Sequence, residues 1–309
     1  MRFCYAIQSH RSPAQLLRLV GQIRRMSPDS VIHVSHDRAG APLDTAAFAA
    51  VGGVIVEFHQ GGYGDFSHVD RYLAAVDRLV SEGVRVDWLA NLTGQDYPVR
   101  HLAAGEAEVA RSTADGFMEH WPALGPDSHW GARKARSRYH FHYRRVLALS
   151  ARGARLLRPL QAINRVQPLL RVNASYGLVL GRRVRTPFGP DLVLHGGSAY
   201  STLSWAAVEY LRGFLHDRPD VLAHFRPTLS PEEAIFQTIL ASSGTFRLDP
   251  DCKRYFDFSG SRFNHSRVLT LADLPAAWAS GAHFARKIDG DRHPEVLDAL
   301  DDHLAAYDR

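Results

Sequence analysis

The sequence predicts an α/β protein whose mostly parallel central sheet is flanked by helices, and three observations support that fold class. Short apolar segments alternate with amphipathic segments of helical period over the first hundred residues. Strands that alternate with helices in this way usually run parallel, because each helix carries the chain back across the sheet. The composition, 45 % hydrophobic and 22 % charged over 309 residues, suits a globular protein with a sizeable core.

Each element has a local signal in the sequence. Strands are predicted at 2–8, 31–35, 53–58 and 86–92. A Ser-x-x-Gln capping box at 12–15 predicts the start of the first helix, and Ser67 and Gly83 are predicted to bound a second one. Later helices are predicted near 204–215, 231–242, 273–281 and 294–307.

Polar residues follow several of these strands at the point where each strand ends. They are His10, Asp37, the Gly61-Gly62 turn and the run from Thr93 to Asp96. Because open parallel sheets bind ligands beyond the carboxyl ends of their strands, we expect these residues to gather on one ligand-binding edge. For Asp96 a structural interpretation also stands, in which its carboxylate binds the backbone amides of its own turn.

The chain is predicted to be one domain over 1–309, because no linker rich in Pro, Gly or Ser divides it. Cys4 and Cys252 are too few for a disulfide framework or a cysteine metal site, which favours a reducing cytosol. No apolar run reaches the ~18 residues that span a bilayer, and MRFCYAIQ is predicted to be a strand rather than a signal peptide. We therefore expect a cytoplasmic protein.

The charge of the chain is unevenly distributed. Its net charge is +5, yet between Asp127 and Asp191 there are 14 Lys and Arg and no acidic residue. This window predicts contact with an anionic membrane surface, nucleic acid or acceptor, although a solvated basic face without a partner is the alternative. Residues 133–172 mix Arg with Leu, Ile and Val at near-helical spacing, which suits a helix lying on a bilayer or one packed on the domain. We expect a basic, partly helical, insert-like region at about 128–190.

The stretch LSPEEAIFQTIL contains the acidic pair that is the first candidate for chemistry. Ser230 suits the N-cap of a helix, and Pro231 suits its first position. Glu233 lies three residues after that cap, so the two residues could form a capping box and nothing more. The alternative is that Glu233 carries a reaction, and the other motifs of the chain favour this alternative.

Other short motifs are less informative by themselves. HQGGYGDF at 59–66 lacks the spacing of a phosphate loop, and no HExxH or GxSxG pattern occurs. Asp289-Gly290-Asp291 matches an acid-x-acid metal motif, but its place in a polar segment near the C-terminus predicts a surface turn. Arg267 and Lys287 each lie near apolar segments, and they are candidates to neutralise a diphosphate or else ordinary surface charges.

Six segments, taken in order, resemble motifs of the core-2/I-branching β-1,6-N-acetylglucosaminyltransferase and xylosyltransferase family, glycosyltransferase family 14. LTGQDYPVR at 92–100 is similar to its LSGQDYP signature, and SPEEAIFQTIL at 230–240 is similar to its S-P-D/E-E-x-x-x-x-T-x-L motif. The other matching segments are YAIQSHRSPAQLLRLV with SVIHVSHD, HGGSAYSTLSWAAVEYL, RYFDFSGS with NHSRVLTLADL, and FARKID. The resemblance covers most of the chain and is weakest at 101–190.

This resemblance implies a GT-A-type nucleotide-sugar-binding fold, a UDP-sugar donor, inversion at the anomeric carbon, and no metal or other cofactor. Inversion needs a carboxylate that takes the proton from the acceptor hydroxyl, and cations that stabilise the departing diphosphate. N-acetylglucosamine is the predicted sugar, and xylose is the second choice. The site residues so implied are Glu233 as general base, Asp37, Thr93, Arg267 and Lys287 at the donor, and Tyr255 and Glu119 at the acceptor.

The chain departs from the animal members of that family, which are Golgi proteins with a membrane anchor and many cysteines. It therefore resembles a bacterial, cytosolic relative that acts on a glycan or lipid-linked acceptor, with residues 128–190 in peripheral contact with an anionic membrane. A non-catalytic carbohydrate- or nucleotide-binding protein on the same scaffold is the alternative. A nucleic-acid partner is not expected, because no helix-turn-helix or RNP-like pattern occurs.

Overall fold

The structure is a computed structural model, and it describes residues 1–62, 64–147, 158–173, 177–259 and 266–307. Its strands are β1 (Phe3–Ser9), β2 (Val31–Asp37), β3 (Val54–His59), β4 (Trp88–Thr93), β5 (Tyr97–Pro98), β6 (Gly116–Met118), β7 (Trp121–Pro122), β8 (Phe141–Leu147), β9 (Leu170–Asn173), β10 (Gly177–Arg183), β11 (His195–Gly196), β12 (Ser201–Ser204), β13 (Leu248–Asp249), β14 (Arg254–Phe256) and β15 (Phe284–Arg286).

The helices in the same ranges are α1 (Pro13–Met26), α2 (Thr45–Val51), α3 (Ser67–Ser81), α4 (Leu102–Arg111), α5 (Ala132–Tyr139), α6 (Ile163–Val166), α7 (Trp205–Asp217), α8 (Pro219–Phe225), α9 (Ile235–Ser242), α10 (Leu274–Ala279) and α11 (Pro294–Ala306). Short 3-10 helices occur at Arg158–Ala162, Pro231–Glu233 and Leu271–Asp273. None of the helices in the described ranges is long and apolar enough to cross a membrane.

The main sheet has seven strands in the order β13-β6-β12-β4-β1-β2-β3. Strand β1 pairs in parallel with both β2 and β4, and β2 pairs in parallel with β3. Strand β12 runs antiparallel to β4 and β6, while β13 is parallel to β6. The predicted α/β class with a mostly parallel sheet is therefore confirmed, and each of the four predicted strands is present.

Alternating side chains of β1 fill the cores on the two faces of this sheet. Phe3, Tyr5 and Ile7 belong to one apolar cluster, which also takes in the buried sides of α1, α4, α10 and α11. Cys4 and Ala6 point to the opposite cluster, which is built with α3, α7 and α9. Since successive side chains of a strand face opposite sides, one central strand anchors both layers and fixes its own register.

The predicted cap residues of the first two long helices are wrong. Ser12 has a left-handed backbone (φ 50°) and caps nothing, because its hydroxyl donates to Asp291 at 2.5 Å instead. Ser67 is the first residue of α3 rather than its cap, and the Asp65 carboxylate accepts from both its amide and its hydroxyl. In both places the serine hydroxyl that was expected to cap a helix donates to an aspartate instead, Asp291 for Ser12 and Asp65 for Ser67.

The basic region contains less helix than its spacing suggests. Within its described residues only α5, the short α6 and one 3-10 turn are helical, and β8, β10 and β9 form an antiparallel sheet. Residues 148–157, on which part of the predicted amphipathic segment 133–172 falls, lie outside the described residues. Apolar and basic residues at near-helical spacing also fit paired strands, and here the partner strand decides the outcome.

Candidate functional site

The carboxyl ends of the central strands meet along one edge, as the sequence predicts. The carbonyl of His10 accepts from the amide of Ala41 at 3.0 Å, and the amide of Gly94 donates to the carbonyl of Gln8 at 2.9 Å. These bonds join the loops that follow β1, β2 and β4. Burial first, and then Arg11 and Arg71, lower the pKa of His10, and Asp37 and Lys287 are close enough to affect it as well.

Asp37 ends β2 and binds the loop after β3. Its Oδ1 accepts from the amides of Ala39 and Gly61, each at 3.0 Å. Gly61 approaches so closely that a Cβ there would lie 2.3 Å from Asp37 Oδ2. Burial alone would raise the pKa of Asp37, but the two amide bonds, together with the charges of Arg71 and His10, outweigh it and lower the pKa below its usual value.

Thr93 ends β4, and its polar groups are used within its own turn. Its amide and its hydroxyl both donate to Asp96 Oδ2, the latter at 2.8 Å. The structural interpretation of Asp96 is thus what the structure shows. Arg286 reaches the other oxygen of Asp96 at 3.6 Å.

Lys287 follows β15 and lies on the same edge. The amide of the next residue, Ile288, donates to the carbonyl of Gln95 at 2.9 Å and holds this loop against the turn after β4. The Lys287 ammonium is half-buried and has no carboxylate within ion-pair distance among the described residues. Burial first, and then the neighbouring Arg286 and Arg11, lower its pKa.

The Asp289-Gly290-Asp291 motif enters the turn that its composition predicts, with Asp291 exposed, but Asp289 does not lie on the surface. Asp289 is only 6 % exposed and pairs with Arg11 at 3.0 Å, while Asp291 accepts from Ser12. These bonds tie the C-terminal loop to the start of α1. Within the described ranges, no three His, Cys, Asp or Glu side chains are grouped as ligands of one metal ion.

Arg267 differs from Lys287 because two carboxylates already hold it. Its Nε donates to Asp257 at 2.6 Å, and its Nη1 donates to Asp273 at 2.8 Å. These bonds from Arg267, with those from Thr270, lower the pKa of Asp273 to about 2. In this arrangement the guanidinium charge is compensated before any ligand arrives.

Glu233 does not form the capping box with Ser230 that the sequence allows. Ser230 has φ 51° and makes no side-chain cap bond, and the predicted helix splits into the 3-10 turn Pro231–Glu233 and then α9. The Glu233 carboxylate instead pairs with Arg138 of α5, 95 residues away in sequence. The other carboxylate oxygen, Oε1, carries no hydrogen bond among the described residues.

Two residues near Glu233, Arg138 and Glu232, received no role of their own from sequence reasoning. Arg138, which lies inside the basic region, stacks over the Trp130 ring at 4.9 Å and is held there while it pairs with Glu233. Glu232 is the first acid of the pair, and one of its oxygens is buried without a hydrogen-bond partner. Burial, and then the charge of Glu233, raise the pKa of Glu232. The paired acids in SPEE were the available signal for Glu232.

Glu119, which the resemblance assigns to the acceptor, lies close enough to Glu233 for the two charges to interact. Burial first, and then Asp251 and Glu233, raise its pKa. The backbones of Glu119 and Gly197 pass close to each other, since a Cβ on Gly197 would lie 1.9 Å from the Glu119 carbonyl oxygen. Tyr255, the other predicted acceptor residue, lies in β14 and packs partly against the α1-side core.

The segment from Gly197 to Tyr200 connects the two groups of residues. The Gly197 amide donates to the Glu233 carbonyl at 2.9 Å, and the Tyr200 ring lies 4.2 Å from the Arg286 guanidinium. Three residues of extended chain span about 10 Å. The backbone of the turn that carries Glu233 and the side chain of Arg286 therefore contact the two ends of one short segment.

Comparison with known proteins gives one curated protein that resembles the chain over 75 % of its residues. No family model matches the chain. Over 242 residues it is 27 % identical to "Beta-glucuronosyltransferase GlcAT14A" of Arabidopsis thaliana, a match that covers 75 % of this chain and 46 % of that protein. The chain thus spans about half the length of this relative.

Solved structures resemble the chain only distantly. A nucleoside-diphosphate-sugar pyrophosphorylase from Vibrio cholerae has a TM-score of 0.36 at 10 % identity, covering 80 % of this chain and 89 % of that one. A 2-C-methyl-D-erythritol 4-phosphate cytidylyltransferase from Thermus thermophilus has a TM-score of 0.32 at 14 % identity, covering 89 % and 98 %. At these TM-scores, neither similarity supports a conclusion about function.

Proposed function

We propose that this chain is an inverting glycosyltransferase of GT-A type, which moves a sugar from a UDP-sugar to an acceptor hydroxyl. Glu233 is the general base, and no metal takes part. The observation that carries this proposal is the 197–200 segment, which contacts Glu233 at one end and Arg286 at the other. A base and the cations for a leaving group must lie this close if one sugar is to bridge them.

Glu233 suits the role of base by its geometry. Arg138 binds one oxygen of its carboxylate and fixes the side chain, which leaves Oε1 for an acceptor hydroxyl. In the proposed step the acceptor oxygen attacks the anomeric carbon as Glu233 takes its proton. The bond from that carbon to the phosphate oxygen breaks, and UDP departs with the electron pair.

Lys287 suits the donor diphosphate better than Arg267 does. The leaving diphosphate gains negative charge in the transition state, so a fixed and uncompensated cation lowers the barrier. Lys287 is half-buried without a carboxylate partner in the described part of the chain, whereas Asp257 and Asp273 compensate Arg267. We therefore assign the main part to Lys287, and Arg267 contributes only if a ligand displaces its carboxylates.

The remaining assignments concern the two substrates. Asp37 and Thr93 lie at the strand ends where the uridine would bind, and Glu119 and Tyr255 are assigned to the acceptor. N-acetylglucosamine and xylose are the donor sugars that the family resemblance suggests, and the Arabidopsis relative adds glucuronic acid. All three UDP-sugars belong in a donor screen. The acceptor is a glycan or a lipid-linked sugar.

Calorimetric titration of UDP, with EDTA present throughout, tests this proposal. We expect wild type to bind UDP and Lys287→Ala to bind it at least tenfold more weakly, because the diphosphate loses its buried cation. Lys253→Ala is the matched control, since Lys253 is already paired with Glu108 and Asp251. Binding that appears only after manganese is added would contradict the metal-free mechanism. No binding under either condition would remove the donor assignment.

A further inference from the structure

The basic region exposes apolar side chains as well as arginines. Six of the fourteen exposed large hydrophobic side chains in the described part of the chain lie within it: Val146, Leu147, Leu160, Val166, Leu169 and Leu180. The exposed arginines of the same region are Arg133, Arg136, Arg144, Arg145, Arg182, Arg183 and Arg185. A surface that combines both kinds of side chain indicates a partner that is anionic and also apolar.

The strand register places several of these side chains on one face. Leu180 of β10 lies directly opposite Arg144 of β8, and Arg182 lies two residues further along β10. Opposite residues of an antiparallel pair share a face, as do residues two apart in one strand. Leu169 lies opposite Gly181, whose amide donates to its carbonyl at 2.6 Å, so it belongs to the other face of the sheet. We call Arg144, Leu180 and Arg182 the basic-apolar patch.

The composition of this patch favours a lipid surface over other anionic partners. Leu180 is 49 % exposed, and a nucleic acid or an anionic polysaccharide would give it no apolar environment. An anionic bilayer attracts the arginines through its headgroups and takes leucine side chains into the acyl boundary. We propose that the basic-apolar patch docks this chain on an anionic lipid bilayer.

The strand that carries Arg144 is connected to the turn of the candidate base, Glu233. Arg138, the partner of Glu233, lies in α5, which leads directly into β8 and so to Arg144. The amide of Tyr143 in β8 also donates to the carbonyl of Pro227, just before the SPEE turn, at 2.8 Å. If the proposed transferase activity holds, docking would bring Glu233 to lipid-linked acceptors at the bilayer surface.

Vesicle sedimentation at low salt tests the docking without any donor or acceptor sugar. We expect the protein to bind vesicles of phosphatidylcholine with phosphatidylglycerol, and not vesicles of phosphatidylcholine alone. Arg144→Ala/Leu180→Ser should weaken binding at least tenfold, since one arginine near an anionic surface contributes about fivefold and the leucine adds its buried area. The matched control is Arg111→Ala/Leu271→Ser, which removes an exposed arginine and an exposed leucine outside the region.

A labelled single-site variant gives an independent measurement on the folded protein. Cys4 and Cys252 are buried, so Leu180→Cys provides an accessible thiol for an environment-sensitive fluorophore. We expect its emission to shift to the blue on anionic vesicles, while a Leu271→Cys label shows no shift. Equal vesicle binding by both double variants, or an unshifted label at 180, would overturn the proposal. So would salt-dependent binding to RNA or concentration-dependent dimerisation in place of vesicle binding. UDP binding is measured separately, so failure of docking would leave the donor proposal intact.

Discussion

Two regions of the site, the donor edge and the Glu233 cluster, are built by different means. The donor edge is the strand-end edge of the main sheet at Asp37 and Thr93, which is proposed to bind the donor. At the donor edge, backbone amides at the ends of parallel strands bind the side chains, as Ala39 and Gly61 bind Asp37. At the Glu233 cluster, a side chain from α5 crosses to the SPEE turn and pairs with a carboxylate 95 residues away. The first arrangement follows from strand order, whereas the second depends on how distant segments pack.

Among the substitutions that distinguish the two regions, Glu233→Gln is expected to have the largest effect on activity. Glutamine keeps the shape of the side chain but cannot accept a proton, so we expect the transfer rate to fall by about 10²- to 10⁴-fold. UDP affinity should stay within twofold, because Glu233 is assigned to the acceptor side. Transfer is measured as UDP release from the donor with acceptor present.

Glu232→Gln is the matched control for that experiment, because the two acids are adjacent in one turn. We expect it to retain most of the activity. If Glu232→Gln lost as much as Glu233→Gln, or more, the assignment of the base to Glu233 would be wrong. A protein that binds UDP and a glycan equally well in all three forms, without turnover, would be a binding module.

Gly197→Ala tests whether the segment from Gly197 to Tyr200 needs the close approach of Gly197 to the backbone of Glu119. A Cβ at this position would lie 1.9 Å from the Glu119 carbonyl oxygen, so the backbone must move. We expect a loss of about 1–3 kcal/mol in the free energy of unfolding, and a loss of activity in the fraction that folds. Chemical denaturation measures the first effect.

Gly213→Ala provides the comparison in the same background. Gly213 lies inside α7, and among the described residues no atom outside its own helix backbone and chain neighbours lies within 4 Å of the position that a Cβ would take. We expect this change to be neutral or to stabilise by up to ~1 kcal/mol, as alanine does inside a helix. Equal costs at both positions would mean that the loss at Gly197 reflects something other than steric contact.

The raised pKa of Glu232 also predicts how stability depends on pH, and Glu232→Gln tests this prediction. Because burial and Glu233 raise the pKa of Glu232 in the folded chain, the folded state holds a proton that the unfolded state has already lost. The contribution of Glu232 to the free energy of unfolding therefore falls as the pH rises above the ordinary pKa of glutamate. We expect Glu232→Gln to be more stable than wild type at neutral pH, by on the order of 1 kcal/mol, and the difference to vanish in acid. Denaturation midpoints across the pH range measure it, and a difference that grows in acid would contradict the raised pKa.

Sequence reasoning reached the fold and the gathering of strand-end residues at one edge, because both follow from local patterns. Alternating apolar residues identified β1, and parallel strands imply that His10, Asp37 and Thr93 gather at one edge. It did not find Arg138, since no local signal separates this arginine from the others of the basic region. It also placed cap residues at Ser12 and Ser230, although both have a left-handed backbone that no propensity rule indicates.

Ser230→Ala is expected to have the smallest effect, and it tests whether Glu233 is free of a capping role. Removing a true N-cap costs about 1 kcal/mol, as we expect for Ser204→Ala, because Ser204 Oγ accepts from the amide of Ala207 at 3.3 Å. Ser230 makes no such bond, so its loss should change the free energy of unfolding by less than about 0.5 kcal/mol. Equal losses at the two serines would mean that Ser230 caps the helix in solution, and Glu233 would then be bound as its reciprocal partner. The difference between the two serines therefore decides whether the Glu233 carboxylate is available to an acceptor or already used by the fold.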